Sequence, residues 1–425
     1  MNIGIIALGT QGDVQPYLAL GRALAGAGHH VRMVVPQGYP DPCTPHHDTG
    51  RLELRHVSGD ANDVMGSPEF RALLEEGNFL KIQRHANAHA RRVAPDWART
   101  ALDALRDMDV LLAGLGGLNL ARTLAEALDL PVIETHVVPL TPTREFPGPL
   151  LPPGAPRLGG TFNRLTYALI RQVMWQGARS GDGDVRREVL KLPPAPFFGP
   201  RTRHPAPTLY GISPSVLPRP ADWPAEVHLT GSWFLDAAED WTPPPALNAF
   251  LAAGPRPVYI GFGSMGSRDP EATANLVLEA LNRSGQRAVL LQGWGGLTRG
   301  ELPGNVFLSG PAPHSWLLPQ MAATVHHGGA GTTAAALRAG VPSTVVPFFG
   351  DQPYWGGRVQ ALGVGPTPLP RRTLSVDGLA RALDIMSRDM GMQERAEFLG
   401  AAIRQERGLE RATELIGVYG ARASA

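Results

Sequence analysis

Residues 325–352 read VHHGGAGTTAAALRAGVPSTVVPFFGDQ and hold most of the residue types in this chain that could handle a charged small molecule. A short apolar run at 322–325 precedes His326 and His327, and a glycine turn, Gly328-Gly329-Ala330-Gly331, is closed by Thr332 and Thr333. Alanine, leucine and arginine follow, which is helix-forming composition. The order is strand, turn, helix N-terminus. The first turn of such a helix offers unpaired N–H groups and the positive end of the peptide dipoles, which suits phosphate. The amides of Gly329, Ala330 and Gly331 and the Thr332 hydroxyl are the candidate phosphate ligands. His327 is either a further donor or a packed histidine at a strand end. A second strand pattern at 343–347 returns the chain to Asp351 and Gln352, at the sheet edge where open α/β folds bind ligands. A carboxylate and an amide beside a phosphate cradle suit the hydroxyls of a sugar carried on a diphosphate. The same pair could instead begin the next helix.

These residues need a sheet to carry them, and the chain supplies two. Residues 2–8 form a buried-strand pattern, followed by Gly9-Thr10-Gln11-Gly12-Asp13, a helix pattern to Gly28 and a strand at 30–36. That is the opening of a Rossmann-like unit. Gly9, Gly12 and Gly21 do not make G-x-G-x-x-G and no acid ends the second strand, so dinucleotide binding is disfavoured. Residues 68–106 are read as mostly helical with an interruption at Pro95, residues 162–176 as a helix through Leu165, Leu169, Val173 and Trp175, and 208–212 as the last strand of the first domain. A second unit starts at Val258 and runs through Gly263 and Ser264 to the glycine block; helices at 376–387 and 393–418 end the chain.

The block from His327 through Thr332 to Asp351 and Gln352 resembles the donor-binding signature of nucleotide-sugar glycosyltransferases of the GT-B type. It is most like the sterol glucosyltransferase branch and, after it, the bacterial macrolide and glycopeptide glycosyltransferases. The resemblance implies an α/β fold with two Rossmann-like domains whose parallel sheets face a deep interdomain cleft. The expected division is an acceptor domain at 1–212, a linker at 213–245, a nucleotide-sugar domain at 246–400, and a terminal helix at 401–425 that crosses back to the first domain.

Glycosyl transfer needs a base for the acceptor hydroxyl, an anchor for the leaving diphosphate and contacts that orient the sugar. Thr10-Gln11-Gly12-Asp13-Val14-Gln15-Pro16 resembles the family's G-S-R-G-D-x-x-P loop, which makes Asp13 the candidate base; its alternative role is to cap the first helix. Thr10 and Gln11 replace the family's Ser and Arg. Ser264 would reach the same phosphates as the glycine turn, and Asp351 and Gln352 would select the sugar. Base recognition departs from the plant pattern and falls to Ala312 and His314, or to stacking by Trp294, which could also be a packing residue. An acceptor pocket is expected around Met65, Phe70, Phe79, His136, Phe146, Phe162 and Trp175. Its apolar character suits a sterol, terpenoid or polyketide alcohol.

The expected reaction is inverting transfer of glucose from UDP-glucose to such an alcohol, without metal or other cofactor, since no Asp-x-Asp motif occupies a suitable loop. A dTDP-activated deoxysugar with an antibiotic aglycone is the alternative within the chemistry; a nucleotide-sugar epimerase and a non-catalytic sugar-nucleotide binder are the alternatives outside it. Composition narrows the partners. The net charge is +1, which gives no reason to expect nucleic acid. Cys43 is the sole cysteine, so no intramolecular disulfide forms. No apolar run reaches membrane-spanning length and the first residues do not read as a signal peptide, so a cytoplasmic location is expected. Transient contact with a membrane stays open, although no basic amphipathic anchor is evident from the sequence.

Overall fold

The computed structural model describes residues 1–39, 50–59, 67, 69–70, 73, 79–151, 158–200, 204–238, 240–263, 269–291 and 302–423. It separates into two compact units. The first takes Met1–Val64, Leu80–Phe234 and Arg407–Ala425, and the second is built on Leu235–Glu406.

The first unit is a seven-stranded parallel sheet. Its strands are β1 (Asn2–Ile6), β2 (His30–Pro36), β3 (Leu52–Val57), β4 (Val110–Ala113), β5 (Val132–His136), β6 (Thr208–Tyr210) and β7 (Val227–Leu229), in the order β3-β2-β1-β4-β5-β6-β7. Strand order reverses at β1, so the crevice beyond the ends of β1 and β4 is the natural ligand position. Helices α1 (Gln11–Gly26), α2 (Phe79–Leu105), α3 (Leu118–Leu128) and α4 (Gly160–Val185) cover the sheet. Both sheet faces are apolar, as a parallel sheet requires. Ile3, Ile5 and Met33 pack with Leu20 and Leu24 of α1, while Ile6 and Val34 pack with Ala101, Leu105 and Leu124 on the other side.

Four readings of the sequence change here. Pro95 does not interrupt α2, which runs through it to Leu105 because Ala98, Ala101 and Leu105 beyond the proline are fully buried. Helix α4 extends nine residues past 176. The sequence pattern fades there at Gly177, yet this glycine is a packing device: a Cβ on it would lie 1.9 Å from the Asn87 amide nitrogen of α2. Leu165 and Leu169, read as its apolar spacing, are about 60% exposed. The stretch 213–245, read as linker, contains β7 and two buried tryptophans. Trp223 stacks on Tyr210 at 5.0 Å, and Trp233 donates to the Thr230 hydroxyl at 3.0 Å.

The second unit is a five-stranded parallel sheet ordered β10-β9-β8-β11-β12. Its strands are β8 (Val258–Gly261), β9 (Ala288–Leu291), β10 (Val306–Ser309), β11 (Ala323–His326) and β12 (Ser343–Val345). Order reverses at β8, which pairs with β11 so that Gly261 lies opposite His326. Around it lie α5 (Pro245–Ala252), α6 (Pro270–Ser284), α7 (His314–Leu317), α8 (Ala330–Ala339), α9 (Gln352–Ala361), α10 (Val376–Arg388) and α11 (Met390–Gln405). The final pattern at 393–418 is two helices, because Glu406 turns extended after α11. The second of them, α12 (Gly408–Ala423), belongs to the first unit, where Ala412, Leu415 and Ile416 join the core of Ile3 and Leu20.

Candidate functional site

In the second unit the glycine turn bridges the end of β11 and the start of α8, at the point where strand order reverses. Gly328 has φ +91°, and a Cβ there would sit 2.5 Å from Val345. Gly329 is the N-cap, extended at φ −60° and ψ 143°. The Thr333 N–H and hydroxyl both donate to the Gly329 carbonyl at 2.9 Å, so Thr333 is the first residue whose amide is taken up inside the helix. The amides ahead of it are those of Gly329, Ala330, Gly331 and Thr332, the four that a helix leaves without an internal acceptor. None of these four residues is buried. They form an anion cradle at the positive end of α8.

Three histidines stand behind this turn. His327 packs against glycine on two sides. A Cβ on Gly329 would lie 2.5 Å from its Nε2, and one on Gly263 3.1 Å from its Cε1. Its Nδ1 is buried and finds no partner among the described residues. Burial, with His314 nearby, lowers its pKa to about 4. It is therefore neutral at neutral pH and acts as a donor or acceptor, not a cation. His326 is fully buried, and its Nδ1 accepts from the Gly328 N–H at 3.1 Å. That bond places the proton on Nε2. Burial, with the two other histidines, lowers it to about 3. His314 meets the Tyr259 hydroxyl through Nε2 at 3.1 Å, and burial lowers it to about 4. Sequence reasoning assigned no role to His326, although the doubled histidine was a visible signal.

The Asp351–Gln352 pair is committed to the fold as well as placed at the sheet edge. The Asp351 carboxylate accepts from the Trp355 indole N–H at 2.8 Å, and the residue stands at the N-cap position of α9 without a side-chain capping bond. Gln352 is 5% exposed, and its Oε1 accepts from the Phe348 and Phe349 amides at 2.7 and 3.2 Å. That oxygen braces the turn. Ala312 packs against the core of the second unit. Ser264, Trp294 and Met65 lie outside the described residues.

In the first unit Asp13 lies in the first turn of α1, directly beyond β1. Its Oδ2 accepts from the Thr10 N–H at 2.8 Å and from the Thr10 hydroxyl at 2.9 Å. This is the capping arrangement, and Gly9 permits it. At φ +137° this glycine leaves open a position where a Cβ would lie 2.4 Å from the carboxylate oxygen. Asp13 keeps some solvent contact but is crowded enough that desolvation raises its pKa, against the lowering by the two Thr10 bonds. Tyr17, one turn on, donates to the Thr135 carbonyl at 2.5 Å at the end of β5. Its neighbour His136 is 2% exposed and meets Glu134 Oε2 through Nε2 at 3.3 Å, while its Nδ1 has no partner among the described residues. Burial would raise Glu134, but His136 and the Arg122 guanidinium hold it down at about 2.

The expected acceptor residues that are described differ in exposure. Trp175 is 4% exposed and donates to the Pro196 carbonyl at 3.0 Å, so it is a packing residue. Phe70 is likewise buried at 2%. Phe146 and Phe162 are half-exposed. Phe79 begins α2, and its side chain lies outside the described residues.

Residues 3–147 match the glycosyltransferase family 28 N-terminal domain, and residues 289–407 match the C-terminal domain of the erythromycin biosynthesis protein CIII-like family. A sterol 3-beta-glucosyltransferase of Arabidopsis thaliana is 35% identical over 96% of this chain and 64% of its own length. A sterol 3-beta-glucosyltransferase of Pichia angusta is also 35% identical, over 97% of this chain and 33% of its own. The chain thus spans under two thirds of the plant relative and about a third of the yeast one. Among solved structures, the glycosyltransferase VinC in complex with dTDP superposes with a TM-score of 0.64 at 20% identity, covering 99% of this chain and all of that one.

Proposed function

The chain is a GT-B-fold relative of the sterol 3-beta-glucosyltransferases, and from that kinship we propose that it moves a sugar from a nucleoside diphosphate to the hydroxyl of a lipophilic acceptor. UDP-glucose is the donor we assign, with inversion at the anomeric carbon. The observation that carries the reading is the turn at 328–332, whose four amides ahead of Thr333 belong to residues that are not buried, at a strand-order switch.

In this reading the amides and dipole of α8 hold the diphosphate and stabilise the charge that grows on it as the sugar–phosphate bond breaks. His327, neutral, adds a hydrogen bond. Asp351 orients the sugar hydroxyls. The Gln352 carbonyl oxygen is spent on the turn. The acceptor oxygen forms the new bond to the anomeric carbon, its proton passes to Asp13, and the nucleoside diphosphate leaves. Both hydrogen bonds at Asp13 fall on Oδ2, which leaves Oδ1 as the oxygen that takes the proton. Burial raises the Asp13 pKa, which makes it a better base than an ordinary carboxylate. The charge on the diphosphate is met by amides and a helix terminus, and no metal is written into this scheme.

The test is turnover of UDP-glucose with a panel of sterol, terpenoid and polyketide alcohols, comparing wild type with Asp13→Asn and following glucoside by mass spectrometry and UDP binding by calorimetry. Glucoside from wild type only, with UDP bound by both proteins, supports the reaction and the base together. Full activity in the variant would leave Asp13 as a helix cap. Turnover only with dTDP-deoxysugars would replace the assigned donor.

A further inference from the structure

We propose that the outer face of α4, with the loop at residues 193–199 fastened to it, is a docking surface for an anionic lipid bilayer. None of its residues is among those assigned to transfer. It rests on the acceptor reading only for its purpose, since a bilayer is where a lipophilic alcohol would be collected.

Helix α4 has two unlike sides. Asn163, Thr166 and Tyr167 are buried, while Leu165 and Leu169, on the opposite side, are about 60% exposed. Gln172 and Gln176 continue the Leu165–Leu169 stripe at helical spacing, and both donate to the Phe197 carbonyl, at 3.1 and 2.7 Å. Trp175 holds the Pro196 carbonyl, Arg179 the Ala195 carbonyl, and Arg186 the Pro193 carbonyl. Five side chains from α4 and the turn after it thus fix the loop backbone. Its two phenyl rings are left standing in solvent, Phe197 57% and Phe198 78% exposed, packed edge to face at 4.9 Å. Leu158, just ahead of α4, is 65% exposed.

A loop pinned by its carbonyls with its aromatics outward is a costly arrangement in water, because apolar surface that could be buried is held in the open. Charge identifies the occupant. Residues 160–181 include Arg164, Arg171 and Arg179 and no acidic residue, and residues 189–221 include none either. Arg164 and Arg171 are exposed, and Arg179 lies 5.7 Å from the Phe197 ring. The acids at the far end of α4 are already paired, Asp182 with Arg186 and Asp184 with Arg91 and Arg187. The remaining neighbouring acids are Glu188, paired with Arg187, and Asp222, near Arg164. Leucine and phenylalanine flanked by arginine, with arginine outnumbering unpaired acid, is the chemistry of a surface that seats in the headgroup layer of an anionic membrane.

Co-sedimentation with vesicles tests this directly, using phosphatidylcholine alone and equal parts phosphatidylcholine and phosphatidylglycerol. The full chain should bind the mixed vesicles, more weakly as salt rises. Phe197→Ser/Phe198→Ser should lose at least about tenfold in partitioning, given the apolar area removed. Leu165→Gln/Leu169→Gln, at exposed positions of a helix held from its other side, should show a similar loss. Both variants should keep the wild-type melting temperature and UDP affinity, which separates loss of docking from loss of fold. Absence of wild-type binding to the mixed vesicles overturns the proposal, as does binding that both variants retain. Self-association that the variants abolish, without vesicle binding, also overturns it and makes the face an interface between copies. Vesicle binding by a protein that glycosylates no alcohol upholds this proposal while sinking the acceptor reading. Glycosylation of dispersed alcohols without vesicle binding does the reverse.

Discussion

At Asp13 the proposed reaction gives one carboxylate two jobs on two oxygens. Oδ2 closes the first turn of α1 through Thr10, and the assigned proton acceptor is Oδ1. Asp13→Asn can keep the Oδ2 bonds because an amide oxygen accepts them too, but it cannot take the proton. We expect kcat to fall by about two to four orders of magnitude with UDP affinity unchanged, measured by turnover and calorimetry. A conserved melting temperature separates this from loss of the cap. The sign of the linkage agrees: the Asp13 pKa is raised in the fold, so its contribution to stability is full below the unfolded value and is lost as pH rises through the folded one. Removing the charge therefore does not destabilise the protein at neutral pH. Glu134 behaves in the opposite way. Held at about 2 against an ordinary 4.5, it contributes stability above 4.5 that is lost as pH falls toward 2. A fall of that size is worth on the order of 3 kcal/mol at most. Acid titration of the unfolding midpoint should show this loss in wild type and a shallower one in Glu134→Gln. Matching slopes would mean that the Arg122 and His136 contacts do not hold in solution.

Among the elements, the turn into α8 depends on what glycine omits. Gly329→Ala needs no unusual backbone, since its φ is −60°, but its methyl would lie 2.5 Å from His327 Nε2. The imidazole must move off the Gly263 turn. UDP-glucose affinity should drop about tenfold or more, equivalent to about 1.4 kcal/mol, with little change in melting temperature. Unchanged affinity would remove His327 and the turn from the donor site. The base of the α4 loop has its own anchor. Arg186, 1% exposed, bonds Asp182 at 2.7 Å and Glu126 at 2.6 Å. Arg186→Ala leaves two carboxylates unpaired and should cost about 3 to 5 kcal/mol in chemical unfolding. A loss below about 1 kcal/mol would show that water reaches them readily. The strand–turn–helix order at both glycine loops was legible because glycine and capping residues punctuate the chain between apolar runs. The acceptor aromatics were not, because Trp175 in a core and an aromatic in a pocket read alike at helical spacing. The Leu165–Leu169 stripe misled for the same reason: periodicity names a face and does not say what covers it.

Over the whole chain, the strands beside each switch point were readable as continuous apolar runs, whereas β3 and β7 were not. β3 carries Glu53, Arg55 and His56, and β7 is three residues long within a proline- and tryptophan-rich stretch. Chain order also conceals that α12 completes the first unit from the far end of the sequence. Ala412 and Ile416 are fully buried, with Leu415 at 9%, in the same core as Ile3, Leu20 and Leu24. Ending the chain after Glu406 therefore strips apolar cover from α1 and β1, at a cost of about 2 to 5 kcal/mol for each large side chain lost. Those core residues belong to the first unit, and β11 and α8 to the second. Hydrogen exchange of the truncated protein should speed up across β1, α1 and β2 and stay near wild type across β11 and α8, and UDP should still bind. If exchange rises equally in both units, the second unit leans on the first for its stability and the division at Glu406 is not a division in cooperativity. If it rises in neither, the core around Ile3 closes without α12, and the burial of Ile416 contributes far less than its area implies.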